Sequence, residues 1–210
     1  MAISFYSPVL HDHGRSDQEV RPEPLFKMIK EDILRTYQAF DGSTVRRIVG
    51  CCRSPGMHAA AVFRFGQRLK RTNLASQIAL SPLYLLLYRR MRSKWGIEIP
   101  RSADIGPGLY IGHFGGIVIG ARVRIGKNAS ISHQVTIGIS GQGSSRGCPV
   151  IDDNVYIAPG AKIFGKIRIG NKVKIGANVV AHDDVPDDAI VVLSPGYKIL
   201  ACGKTEDGRS

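Results

Sequence analysis

From Pro24 onward, apolar residues recur at steps of three and four. In LFKMIKEDILRTYQAF, Leu25, Met28, Ile29, Ile33 and Tyr37 share one side of a 3.6-residue period, which predicts an amphipathic helix. Asp41-Gly42-Ser43 breaks the pattern, and Ser43 or Asp41 is placed to cap a short helix running through Cys51. RSPG, 53–56, reads as a turn. MHAAAVFRFGQRLKR is helical again, as is most of 75–95. The longest apolar run, IALSPLYLLLY at 78–88, is too short to span a bilayer and is interrupted by Pro82. It predicts a buried helix or helix pair. The alternative is an amphipathic membrane contact with Arg89, Arg90, Arg92 and Lys94 just beyond it. Residues 23–96 are thus expected to form a helical domain after a polar, loosely ordered stretch, 1–22.

After Ile97 the period changes to six. Aliphatic residues stand at Ile99, Ile105 and Ile111, then at Ile119, Ile125, Ile131 and Ile137, then at Ile151, Ile157, Ile163, Ile169 and Ile175. Glycine follows at 106, 112, 120, 126, 138, 170 and 176. Neither an amphipathic helix nor an alternating strand repeats every six residues. The hexapeptide is the signature of a parallel β-helix, three repeats to a triangular coil, with the aliphatic residues stacked inside. The glycines are expected at corners whose backbone angles favour them. This places a β-helix over 97–200 and a tail over 201–210. Two interruptions break the rhythm. From Ile111 to Ile119 is eight residues, and His113 sits in the addition. From Ile137 to Ile151 is fourteen, twelve plus two, which predicts an excursion loop over 139–150. Insertions in solenoids become loops, and loops carry function.

The net charge of +12 over 210 residues favours anionic partners. With 7% aromatics and no nucleic-acid motif, DNA or RNA is not expected among them. Four cysteines, Cys51, Cys52, Cys148 and Cys202, show no CxxC spacing, and two are adjacent. That pattern fits a reduced, cytoplasmic chain. The first twenty residues lack a basic segment followed by an apolar one, so no secretory signal is expected.

An imidazole at a groove wall is a natural general base. His113 would need a carboxylate to orient it. Glu98, fifteen residues earlier, falls nearly one coil below; Asp104 is the other acid nearby. The plainer alternative is a surface histidine at a corner. His133, in SISHQV, either shares the groove with His113 or lines a corner. His113, His133 and His182 are separated by 20 and 49 residues and lack the close pair of a zinc site, so no metal is expected. Cys148 reads either as a nucleophile or as a small loop residue.

Several segments resemble the serine acetyltransferase branch of the left-handed parallel β-helix acyltransferases. SPGMHAAAVFRFG, 54–66, is similar to that family's PG-[FL]-H-A segment. GHFGGIVIG matches its DHATGIVVG, and VTIGISGQGSSRGCPVI matches VTLGGTGKSGGDRHPKI in length. VYIAPGAKIFGKIRIG and KVKIGANVV follow without a gap, so the resemblance covers roughly 25–200. It implies an acetyl-CoA-dependent O-acetyltransferase. His113 would take the proton of an acceptor hydroxyl, which attacks the thioester directly, and Glu98 would orient the imidazole. Ile139, Ser140, Ala158, Pro159, Gly160 and Ala177 would line the CoA channel, with Lys174 and Lys198 reaching its phosphates. Asp41, fifteen residues before Gly56, would bind the acceptor amine.

Three acceptor positions depart from the family. Gly112 replaces an Asp, and Gly147-Cys148 replaces an Arg-His pair. Losing an arginine–carboxylate contact removes geometric selectivity, though Arg146 stands one residue away. The expected acceptor is L-serine or a close analogue; the alternative is a sugar hydroxyl in surface-polysaccharide or natural-product assembly. A third reading is a non-enzymatic trimeric scaffold. A homotrimer or dimer of trimers is expected. The ending TEDGRS lacks the isoleucine by which family members dock a sulfhydrylase, so no stable complex with one is expected.

Overall fold

A computed structural model of the chain describes residues 24–143 and 146–193. The stretch 1–22, the tail, Lys198 and Cys202 lie outside the described residues. Four helices come first: α1 (Leu25–Gln38), α2 (Thr44–Arg53), α3 (Pro55–Lys70) and α4 (Leu74–Trp95). Local chemistry sets their starts. Ser43 Oγ accepts the Arg46 amide at 3.5 Å, Ser54 Oγ the Met57 amide at 3.3 Å, and Asn73 Oδ1 the Ser76 amide at 2.9 Å. The expected turn at RSPG is only a junction: α2 ends at Arg53, Ser54 caps α3, and Pro55 opens it.

The apolar run of 78–88 is not buried. It continues as one helix through Pro82, and only Tyr84 and Met91 of α4 are buried. Leu74, Ile78 and Leu86 are 72%, 68% and 65% exposed, because α4 packs through one side only, on α3 and the first strand. No helix among the described residues is long and apolar enough to cross a membrane.

Helix α1 also differs from its apolar pattern. Its buried residues are Met28, Asp32 and Thr36, while Ile33 is exposed. The reason is Arg64 of α3. Its Nε donates to Asp32 Oδ2 at 2.8 Å and its Nη2 to Asp32 Oδ1 at 3.2 Å, and both side chains are essentially inaccessible. Its remaining donors reach Gln67 Oε1 (2.9 Å) and the backbone oxygens of Ile105 (2.7 Å) and Gly106 (2.6 Å). All five guanidinium hydrogens are therefore satisfied. Asp32 Oδ1 accepts the Leu109 amide as well, at 2.7 Å.

The rest is a parallel β-helix whose three sheets form a triangular prism. One sheet holds β1 (Ile97–Glu98), β4 (Ile117–Ile119), β7 (Thr136–Gly138), β10 (Lys162–Phe164) and β13 (Val180–Ala181). The second holds β2 (Asp104–Ile105), β5 (Arg124–Ile125), β8 (Val150–Ile151) and β11 (Arg168–Ile169). The third holds β3 (Tyr110–Ile111), β6 (Ser130–Ile131), β9 (Tyr156–Ile157), β12 (Lys174–Ile175) and β14 (Ile190–Val191). Registers such as Ile105↔Ile125↔Ile151↔Ile169 and Ile111↔Ile131↔Ile157↔Ile175 stack the hexapeptide aliphatics into buried columns.

The hexapeptide glycines act differently from expectation. The left-handed corner angle falls three residues after the stacked aliphatic, at Asn128, Gln134, Asn154, Lys172 and Asn178, positions where asparagine is well tolerated. The glycine directly after the aliphatic has ordinary φ, and at Gly106, Gly126, Gly170 and Gly176 close approach of the next coil demands it. A Cβ at Gly106 would lie 2.8 Å from the Gly126 carbonyl, and one at Gly126 would lie 2.8 Å from the Asp152 carbonyl carbon.

Two outcomes follow. Arg64→Met alone is expected to cost about 3–5 kcal/mol, because it strands the Asp32 charge, whereas Asp32→Leu with Arg64→Met recovers much of the loss; urea denaturation of the three proteins checks this. Gly126→Ala is expected to destabilise by about 1–3 kcal/mol through overpacking, read as a lowered denaturation midpoint.

Candidate active site

The corner between β3 and β4 carries the candidate base. Register shows its enlargement directly. Ile111 pairs with Ile131, an offset of twenty, but Val118 pairs with Thr136, an offset of eighteen. The two extra residues lie within 112–116. Gly115 and Gly116 make the corner possible, at φ +106° and +66°. Gly115 accepts the Gln134 amide at 2.7 Å and Gly112 donates to Ile131 O at 3.2 Å, so both ends of the corner are tied to the next coil. The helical domain buttresses it from below. A Cβ at Gly56, near the start of α3, would lie 2.1 Å from Ile111 O, and one at Gly96 would lie 3.1 Å from the Gly116 nitrogen.

His113 is exposed on this corner. Its ring centroid is 5.7 Å from that of His133, with the planes at 83°. His133 is half-buried, and its Nδ1 is buried without a hydrogen-bond partner. Continuing the strand registers by two residues places His113, His133, Pro159 and Ala177 on successive coils along one edge of the prism. Backbone bonds from Gly160 N to His133 O (3.1 Å) and from Asn178 N to Pro159 O (2.9 Å) fasten the coils there. Of the residues expected along a CoA channel, Ala158, Pro159, Gly160 and Ala177 therefore share the edge with His113. Lys174 is exposed on β12, which leads into it. Ile139 and Ser140 belong to the following edge, past β7. There Ser140 exchanges backbone bonds with Gly147 at 3.2 and 3.0 Å and closes the neck of the excursion loop.

No hydrogen bond or ion pair joins Glu98 to His113. The register partner of Glu98 is Val118, five residues beyond the histidine, and its carboxylate pairs with Arg92 Nε at 3.1 Å. The end of α4 sets Arg92 against β1. Burial and then the Glu98 charge push the nearby Tyr88 hydroxyl up to about 12. Glu98, Arg92, Arg89, Ser93 and Val118 border a cavity of about 370 Å³ beside β1. Asp104 is exposed on β2. Asp41 is exposed in the turn between α1 and α2, and no hydrogen bond or ion pair joins it to His113. At Gly112 a Cβ would meet the Tyr110 ring at 3.3 Å, so the position is snug but not closed. Gly147 is closed: a Cβ would lie 2.5 Å from Lys166 Cβ, which excludes arginine on this backbone. Arg146 is exposed and Cys148 half-buried against the core. His182 lies away from the pair, 3.4 Å from Asp183.

Sequence reasoning missed Arg92 and Tyr88 as neighbours of Glu98, since only the angle between α4 and β1 brings them together. It also missed Gly56 as the buttress of the histidine strand; the sole signal was a glycine just inside a helix start.

No protein-family model matches the chain. A serine acetyltransferase of Bacillus pumilus is 34% identical over 179 residues, covering 85% of this chain and 79% of its own. The structure of a Neisseria gonorrhoeae serine acetyltransferase in complex with serine superposes with TM-score 0.66 at 31% identity, over 83% of this chain and 68% of that one. A Brucella abortus serine acetyltransferase in complex with coenzyme A gives TM-score 0.67 at 29% identity, over 80% of this chain and 64% of that one. The fold is accordingly a helical domain followed by a left-handed parallel β-helix. With relatives of one kind in both sequence and structure, the chain belongs to the serine acetyltransferase family of hexapeptide-repeat acyltransferases.

Proposed function

We propose that the chain moves the acetyl group of acetyl-CoA to the hydroxyl of L-serine, with His113 as general base. The carrying observation is His113 itself, exposed on a corner widened by two residues and buttressed on both sides by glycine contacts. In the proposed step a ring nitrogen of His113 takes the hydroxyl proton as the oxygen attacks the thioester carbonyl. The tetrahedral intermediate collapses, the C–S bond breaks, and the thiolate recovers the proton from the imidazolium. Free CoA and O-acetylserine leave, and His113 is regenerated.

The donor would lie along the edge of Pro159 and Ala177, where coils present small side chains and backbone, with Lys174 toward its phosphates. Acceptor recognition must differ from the family pattern, because Gly147 has no room for arginine. Arg146 and Asp41 are the charged residues assigned to the serine carboxylate and amine, and Gly112 and Cys148 line the acceptor side. An edge of a prism is a groove wall rather than a pocket, which supports a homotrimer, or a dimer of trimers, whose neighbouring copy completes the site. Free thiols at Cys51, Cys52 and Cys148 fit a cytoplasmic place of action.

The test is thiol release from acetyl-CoA with L-serine and, separately, with nucleotide sugars and oligosaccharides. Serine-dependent release is expected, lowered about 10²–10⁴-fold in kcat/KM by His113→Ala. Release only with a sugar, or release indifferent to the His113 change, would overturn the reading.

A further inference from the structure

His133 has no task in the transfer step, yet it is the ring nearest the candidate base. The carboxylate expected to orient His113 is engaged elsewhere: Glu98 pairs with Arg92. No hydrogen bond or ion pair to His113 is formed by any described residue, whereas the His133 ring stands edge-to-face to it at 5.7 Å. The two histidines stand two residues beyond the paired Ile111 and Ile131 on successive coils, so the β-ladder fixes the strands from which both rings extend. His133 is anchored from above through its carbonyl, which accepts the Gly160 amide. Below it, Gln134 donates to Gly115.

The buried, unpartnered Nδ1 of His133 adds a second, independent observation. Neutral imidazole carries one N–H and one bare lone pair. Orphaned N–H donors are rarer in protein interiors than under-satisfied acceptors. The tautomer that suits this burial therefore keeps its proton on Nε2 and leaves Nδ1 bare. Nδ1 is thus a bare acceptor, but it is buried out of reach of a substrate hydroxyl, so proton uptake falls to the exposed His113.

We propose that His133 is a positioning residue for His113: its ring, fixed by the next coil, sets the plane of the His113 imidazole through their edge-to-face contact. The proposal rests on the reading of His113 as general base. A misplaced base loses rate out of proportion to the displacement, so the ring plane bears on turnover.

The full-length chain and its His133→Ala, His133→Phe and Glu98→Gln variants would be compared in two ways. One is kcat and KM with acetyl-CoA and L-serine. The other is the two-bond ¹H–¹⁵N spectrum of His113, assigned with His113→Ala, which reads its tautomer without any turnover. His133→Ala should lower kcat about tenfold or more, leave the KM for acetyl-CoA within about twofold, and redistribute the His113 tautomers. His133→Phe, which keeps a ring edge, should recover most of kcat, and Glu98→Gln should leave the His113 signals in place. Unchanged kcat or unchanged His113 signals in His133→Ala would overturn the proposal. So would a Phe variant no better than Ala, or His113 signals that follow Glu98 instead. Full activity in His113→Ala would sink the general-base reading separately, while the spectra still decide whether the two rings are coupled.

Discussion

The first coil of a β-helix has nothing beneath it, and its downward carbonyls need partners. In this chain Asp104 and Gly106 of the first coil donate to Val123 and Ile125 of the second. The carbonyls of Ile105 and Gly106 are left pointing at the helical domain. Arg64 takes both, Gln67 reaches Ala103 O, and Asp32 neutralises the guanidinium while accepting the Leu109 amide. Burying a charged pair is favourable only when its geometry is complete, and here every guanidinium donor is used. The helices are therefore the cap that lets the solenoid begin.

That cap also places the site. The α3 start that leads to Arg64 carries Gly56 against Ile111 O, and the α4 end carries Gly96 against Gly116. Both contacts bracket the corner of His113. The coils above extend the same edge through His133, Pro159 and Ala177, so one row of equivalent positions carries the candidate base, a second imidazole and small or compact side chains. Arg35 of α1 adds a third tie, bonding Asn128 O at 2.6 Å and Ser130 Oγ at 2.8 Å in the second coil.

Much of this was legible because solenoid physics writes itself into sequence at a fixed period. The six-residue aliphatic spacing specified the stacked columns, and departures from it marked both the His113 corner and the excursion loop. Other features were not legible for identifiable reasons. Asp32 lies on a helix whose apolar neighbours suggested a different inner face, and its partner is 32 residues away. The glycines after each aliphatic suggested corner angles, but close approach between coils is invisible within one repeat. The apolar run of α4 suggested burial, yet hydrophobicity does not say how many sides of a helix find a neighbour. The Arg92 partner of Glu98 was likewise out of sight, because only the angle between α4 and β1 brings the two together.

The proposed chemistry requires both substrates to meet at the His113 edge. A crystal structure of the chain with coenzyme A and L-serine would settle it most directly. The expected result is CoA running along Pro159 and Ala177, its thiol beside His113, and the serine hydroxyl within about 2.6–3.2 Å of a His113 ring nitrogen. CoA bound on another edge, or serine held away from His113, would contradict it.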